Sequence, residues 1–283
     1  MTTSIGPKRK RPPQLSRWVF FTAMLILTLV VLLPIIIIAL TAFKPAAEIN
    51  AFPPSLIPST WTLSNFIRIF TDLPFGRLIV NSFVFAGSVT LCALAFDSLA
   101  AYVLARIDFR GSRLLLVIIV ASLMIPFQAT LIPTYQIVSS FGWINTFWGL
   151  IVPRAADAFG IFFLRQFFLS IPRDLDNAAR IDGASEVRIF RSIILPNAVP
   201  ALITLGIYTF VNNWNDLLWP LIFTTKQDMG TVTSGLTLLT GPNGIIPYGV
   251  MMAGSLIALI PLAVMFLFVQ RRFIESVAST GIK

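Results

Sequence analysis

The 283-residue chain has no histidine, one cysteine and charge on only 12% of its residues. Without imidazole there is no His proton relay, no His base for a Ser or Cys nucleophile and no His ligand for a metal. The single cysteine, Cys92, excludes an internal disulfide and, set in an apolar run, leaves the redox compartment open. No stretch reads GxxxxGK[ST], so the loop that cradles ATP phosphates in many ATPases is missing. No nucleophile–base pair and no metal-ligand cluster can be assembled from the residues present, which makes an enzyme the weakest class of reading.

Apolar residues take the space that charge leaves. They make up 56% of the chain, and the mean hydropathy is +0.85. Such a composition belongs in a bilayer, not in a soluble domain. The net charge of +9 does not indicate nucleic acid, because the basic residues lie scattered between apolar runs and form no aromatic-interleaved face. They serve as a topology signal instead.

A helix needs about 20 apolar residues to span a membrane. Six runs qualify, at about 18–42, 79–104, 114–138, 147–169, 197–223 and 248–270. The expected fold is therefore an all-α membrane protein, with a tail over 1–17, a six-helix domain over 18–270 and a second tail over 271–283. The fourth run is the least clean, since it carries Arg154 and Asp157. The first run follows the basic cluster Lys8–Arg11, as a signal peptide does, but it exceeds the about 7–15 residues of a signal core and reads better as a retained span. Six spans put both termini on one side, and that side collects sixteen of the 21 Lys and Arg against four on the other. The richer side is cytoplasmic by the positive-inside rule.

Outside the spans, residues 45–76 hold five prolines and a short amphipathic piece capped by Ser64, with Phe66, Ile67 and Phe70 on one side. Within them, Ala101 with Ala105 and Gly254 with Ala258 have the fourfold spacing that permits close helix contact, or they are filler.

The least lipid-like stretch is DNAARIDGASEVRIFRSIILP, Asp176 to Pro196, inside a cytoplasmic loop at 171–196. Pro172 suits a helix start, Asp174 and Asp176 its positive end and Arg180 its negative end, with Asp176 and Arg180 spaced to pair. Leu175, Ala178, Ala179 and Asp182 fall on one stripe. Gly183 breaks the helix, Ser185 starts a second one, and Val187, Phe190 and Ile194 share a face of it. Two readings fit these residues alike: a helix that fits a groove in another protein, or one that lies on the bilayer surface.

Polar residues within spans are candidates for a solute path, because unpaired polar groups in lipid are costly. Arg154 and Asp157 stand three apart and either pair with each other or meet solute. Asn212, Asn213, Trp214, Asn215 and Asp216 cluster in the fifth run, offering amides and an indole face. Trp214 and Trp219 serve equally as interface-belt residues. Asp97, about two turns from Arg106, ranks low as a ligand and is expected to be solvated near the inner surface.

The stretch NAARIDGASEVRIFRSIILP resembles the cytoplasmic loop of ATP-binding-cassette importer permeases, whose pattern is EAA, three residues, G, nine residues, then I-x-L-P. Ala178, Ala179, Gly183, Ile193, Leu195 and Pro196 match it, while Asn177 stands where the family has Glu. Likeness extends along NSFVFAGSVTLCALAFDSLAAYVLAR, FVNNWNDLLWPLI and the ending QRRFIESVASTGIK, and is greatest to the six-helix, maltose G-type sugar permeases. The resemblance implies a type I importer fold and a multi-pass place in a bacterial or archaeal cytoplasmic membrane. It implies as partners a second permease, two copies of a cytoplasmic ATPase that bind the ATP and Mg, and an external solute-binding protein. No cofactor on this chain, no metal and no nucleic acid are expected. It further implies a coupling helix in an ATPase cleft, with Asp174, Leu175, Asp176, Asn177, Ala178, Ala179, Asp182, Gly183, Phe190 and Pro196 as coupling residues, and a second ATPase contact from Ser276 to Lys283. Motion would then pass to the fourth and fifth spans. The rival classes are a secondary transporter or channel, which needs an intramembrane charge relay but not the loop, and a non-transporting membrane scaffold.

Overall fold

The computed structural model describes residues 14–239 and 247–280. The Lys8–Arg11 cluster and the side chains of the Ser276–Lys283 tail lie outside the described residues. Among those described there are helices and no strand: α1 Gln14–Ala42, α2 Ala46–Ile49, α3 Ser64–Asp72, α4 Phe75–Arg106, α5 Ser112–Ser122, α6 Phe127–Ser140, α7 Phe147–Ile151, α8 Ala158–Ser170, α9 Arg173–Ile181, α10 Glu186–Ile189, α11 Leu195–Asn197, α12 Val199–Trp214, α13 Leu218–Phe223, α14 Val232–Thr237 and α15 Tyr248–Thr280.

Three helices are long and apolar enough to cross a membrane unbroken, over Trp18–Ala42, Phe75–Arg106 and Tyr248–Phe268. Three further pairs of helices reach that length and apolarity only together, each bent at a short break. α5 meets α6 at 100°, α7 with its following 3-10 turn meets α8 at 41°, and Glu186–Asn197 meets α12 at 78°. Each break has a local cause. Pro126 precedes α6, Pro153 sits in the 3-10 turn after α7, and Pro196 and Pro200 flank the bend at Ala198. A proline disfavours helical geometry in the residue before it and removes a backbone donor, so an apolar run need not be a straight rod. The fifth run is interrupted again after Trp214 and resumes as α13.

α4 is the central helix, with α8 and α12 packed along it. Its buried positions include Ser82, Ala86, Ala93, Asp97, Ala101 and Ala105, a stripe of small residues at near-fourfold spacing. In lipid the hydrophobic effect does not drive helices together, so close backbone approach and polar contacts must hold them. Ala101 and Ala105 are therefore contacts and not filler. Gly254 likewise meets α14 and α3, since a methyl group there would lie 2.5 Å from Leu236 and 3.2 Å from Ile69. α1 runs along α15 on the outside of the bundle.

The α3 segment differs from the sequence expectation. Leu63, not Ser64, is its N-cap, and its buried residues are Asn65 and Ile69, while Ile67 and Phe70 are exposed. The Asn65 amide donates to the carbonyls of Ala42 (2.9 Å) and Lys44 (2.7 Å), closing the end of α1, and this buried polar contact fixes which face of α3 turns inward.

Candidate functional site

At the arginine-rich end, α9 projects from the bundle. Pro172 is its N-cap, Asp174 and Asp176 stand in its first turn and Arg180 in its last. Gly183 takes φ +78°, a left-handed conformation costly for residues with a Cβ. Its N–H bonds the Arg180 carbonyl and the Ala184 N–H bonds that of Ala179, so two orphan carbonyls of α9 are satisfied as the chain reverses. The Ser185 hydroxyl then accepts from the Arg188 N–H and caps α10.

The two sides of α9 differ. Asp174, Leu175, Asn177, Ala178, Asp182 and Gly183 face outward, as does Pro196 beyond α10. Ile181, passed over in the sequence, is the most exposed apolar side chain of this face at 86%. Ala179 and Phe190 turn inward onto a core of α4, α8 and α12 residues. The chain is a π-helix over Phe190–Ile194, which turns Ile189, Phe190 and Ile194 into that core and leaves Val187 exposed, not sharing their face as its spacing had suggested.

Asp176 does not pair with Arg180. It is 1% exposed and lies against Arg106 of α4, with Oδ2 3.3 Å from Nε. Arg180 reaches forward instead, placing its Nε 2.9 Å from the Glu186 carboxylate, which also accepts from the Tyr102 hydroxyl at 2.6 Å. These two donors, Arg180 first, hold the Glu186 carboxyl below the usual carboxylate range.

Midway along the bundle a cavity of about 410 Å³ opens between α4, α6, the turn after α7, α8 and α12. Arg154, Asp157, Asn212 and Asn213, four of the residues named in the sequence as solute-path candidates, line it. Arg154 pairs not with Asp157 but with Asp216, from the break between α12 and α13. Its guanidinium also lies 5.5 Å from the ring centre of Trp219 and 5.8 Å from that of Phe127, an aromatic setting that favours a cation. Asn213 donates to the Thr209 carbonyl at 2.7 Å, but its own Oδ1, buried at the cavity wall, has no protein partner. Thr130, Thr134, Tyr208 and the rings of Phe127 and Phe159 also line it and were not singled out in the sequence, since isolated Thr and Phe carry no pattern until helices bring them together; Trp219, read there only as an interface-belt residue, lines it too.

Three candidates are not in the lining: Asp216, which meets it only through Arg154, and Trp214 and Asn215. The Trp214 ring packs with Phe83 and Phe210 and gives its indole N–H to the Ala258 carbonyl, and Asn215 caps the end of α12. The interface-belt reading of the two tryptophans fails as well. Both are 2% exposed, and Trp219 donates inside the fold to the Leu150 carbonyl at 3.1 Å. Asp97 is not solvated near a surface either. It is fully buried and accepts from the Asp157 N–H at 2.9 Å, just ahead of α8, where Gly160 leaves room for its carboxylate.

Pro-broken apolar helices around a polar, aromatic-lined cavity, with an amphipathic helix displayed at one end, define an all-α membrane transport subunit. Its family follows from comparison with known proteins. The chain belongs to the binding-protein-dependent transport system inner membrane components, whose family model matches residues 97–278. It is 35% identical to the arabinooligosaccharides transport system permease protein AraQ of Halalkalibacterium halodurans, over 98% of this chain and 99% of that one. It is 34% identical to the sn-glycerol-3-phosphate transport system permease protein UgpE of Escherichia coli, over 93% and 96%. Among solved structures it shares its fold with a chain of a bacterial ABC transporter involved in the import of the acidic polysaccharide alginate, with a TM-score of 0.82 at 24% identity, covering 95% of this chain and 100% of that one.

Proposed function

We propose that this chain forms half of the translocation pore of an ATP-driven importer for a sugar or a related polyhydroxylated solute. In this reading a solute-binding protein delivers the cargo, a second permease completes the pore, and two cytoplasmic ATPases bind the ATP and Mg, with no nucleotide site on this chain. Both termini then face the cytoplasm of a bacterium or archaeon.

The observation that carries the reading is the outward face of α9. Leu175, Ala178 and Ile181 form an apolar strip beside Asp174 and Asp182. Carboxylates are repelled by anionic lipid headgroups, so the face suits a protein groove better than the bilayer surface. Arg180, which would otherwise draw α9 to lipid, is engaged by Glu186. The cavity supports the choice of cargo. Arg154 and Asp216 neutralise each other, and beside the Asp157 carboxylate and small apolar side chains the lining offers hydroxyls, amides and aromatic rings, the surfaces that recognise a sugar. The two relatives named above act on an oligosaccharide and a phosphorylated polyol, both rich in hydroxyls.

The test is ATP hydrolysis by the complex reconstituted with its ATPases in lipid vesicles, against purified binding proteins loaded with defined sugars. At least one loaded sugar should stimulate hydrolysis and accumulate inside. If none does, the substrate class is wrong; uptake driven by a proton gradient without ATP would replace the importer with a secondary transporter.

A further inference from the structure

We propose that Arg106 and Asp176 are positioning residues that tie α9 to α4, so that the ATPase stroke enters the pore through the second span and not only through the fourth and fifth. The inference rests on the importer reading above.

The Arg106 guanidinium joins three elements. Beside Asp176 of α9 it serves the end of α8, its Nη2 donating to the carbonyls of Phe168 (2.7 Å) and Ile171 (2.8 Å). The grip is reciprocal. Arg165 of α8 donates to the Leu104 carbonyl at 3.2 Å and Arg173 of α9 to that of Ala105 at 3.3 Å, so the last carbonyls of α4 are closed by the elements that Arg106 holds. Tyr102, one turn back, binds Glu186 of α10. A charge pair 1% and 2% exposed cannot be exchanged for water without exposing the core around it, so α4 and α9 are held in one register.

The shapes of the helices decide which route is stiff. From the loop to α12 the chain passes a π-helix and a 78° bend. α4 instead runs unbroken from Arg106 to Ala93 and Val89 in the cavity wall, about 20 and about 25 Å away at the rise of an α-helix. On the way it carries Asp97, which holds the Asp157 N–H at the cavity edge. Displacing α9 therefore moves the cavity wall through a continuous rod, the kind of element that passes a small shift without absorbing it.

The test uses the whole complex, with both ATPases and the binding protein, in vesicles, and reads solute imported per ATP hydrolysed. Asp176→Asn keeps the shape and the two carbonyl bonds of Arg106 but removes the charge. The expected result is unchanged complex yield, with the import ratio lowered about fivefold or more. The exchange Arg106→Asp with Asp176→Arg should recover part of the ratio. A double variant, Arg106→Met with Asp176→Leu, separates the tie from mere stability and decides the matter if the single variant fails to assemble. It should assemble, less stably than wild type because the Phe168 and Ile171 carbonyls lose their donor, and stay uncoupled, because apolar contacts fix no register. A wild-type ratio in Asp176→Asn or in this apolar double overturns the tie. A wild-type complex that no loaded binding protein stimulates refutes the importer reading instead.

Discussion

Arg154 and Asp216, 62 residues apart in sequence, form an ion pair at the cavity wall, with the guanidinium facing the Trp219 ring and the second carboxylate oxygen accepting the backbone N–H of Trp219 at 3.1 Å. The pair pins the turn after α7 to the break between α12 and α13, two irregular segments that no helix ladder holds.

Removing one partner strands a charge beside the rings. Arg154→Gln or Asp216→Asn should lower stability by about 3 kcal/mol, the low end for buried pairs since both groups retain some solvent contact, and the loss should be visible as a fall in the unfolding temperature in detergent. The apolar double Arg154→Met with Asp216→Leu should recover most of that stability while uptake stays low, because the polar wall is gone.

Asn213 presents a buried acceptor without a protein partner. Asn213→Leu should leave stability unchanged or slightly raised, since an unsatisfied group is removed. Uptake should show KM raised about fivefold, the loss of one hydrogen bond to cargo. An unchanged KM with intact folding would remove Asn213 from the solute path.

Gly160 is where α8 meets the Asp97 carboxylate. A methyl group there would run into Asp97 Oδ2. Gly160→Ala should cost about 1–3 kcal/mol by overpacking, and Asp97→Ala in the same chain should relieve the clash. Thermal unfolding of the two variants checks both halves.

At Gly183 the demand is on the backbone. Gly183→Val should abolish stimulation of the ATPase by loaded binding protein, for a strain of about 1–2 kcal/mol concentrated at one turn, and Gly183→Asn should retain much of it, because Asn enters the left-handed region more readily. Equal loss in both would mean that the position senses side-chain bulk and not φ.

Hydropathy made the membrane class, the apolar runs and the loop legible from the residues alone. α9 was legible in detail, down to its Gly183 terminus and the Ser185 cap, because capping and breaking are decided within a few residues. The resemblance of the loop to a known pattern carried the family. What local rules misjudged were partners. Asp176 was matched to Arg180, and Arg154 to Asp157, because helical spacing offers only neighbours. Arg106 counted only as a topology charge, and Ile181 not at all, although an apolar residue just before Asp182 and Gly183 was a visible signal.

The sequence by itself determined that this chain lives in a bilayer, which end carries the arginines and where α9 begins and ends. Those depend on transfer of side chains from water and on backbone geometry over short distances. Only the tertiary structure decided that Asp176 turns in to Arg106, that Arg154 joins Asp216, that Trp214 belongs to the packing while Asn213 faces the cavity, and that three of the six apolar runs are bent helix pairs. A buried charge takes whichever partner the packed helices bring within reach, and that partner is set by helix bends that hydropathy does not encode.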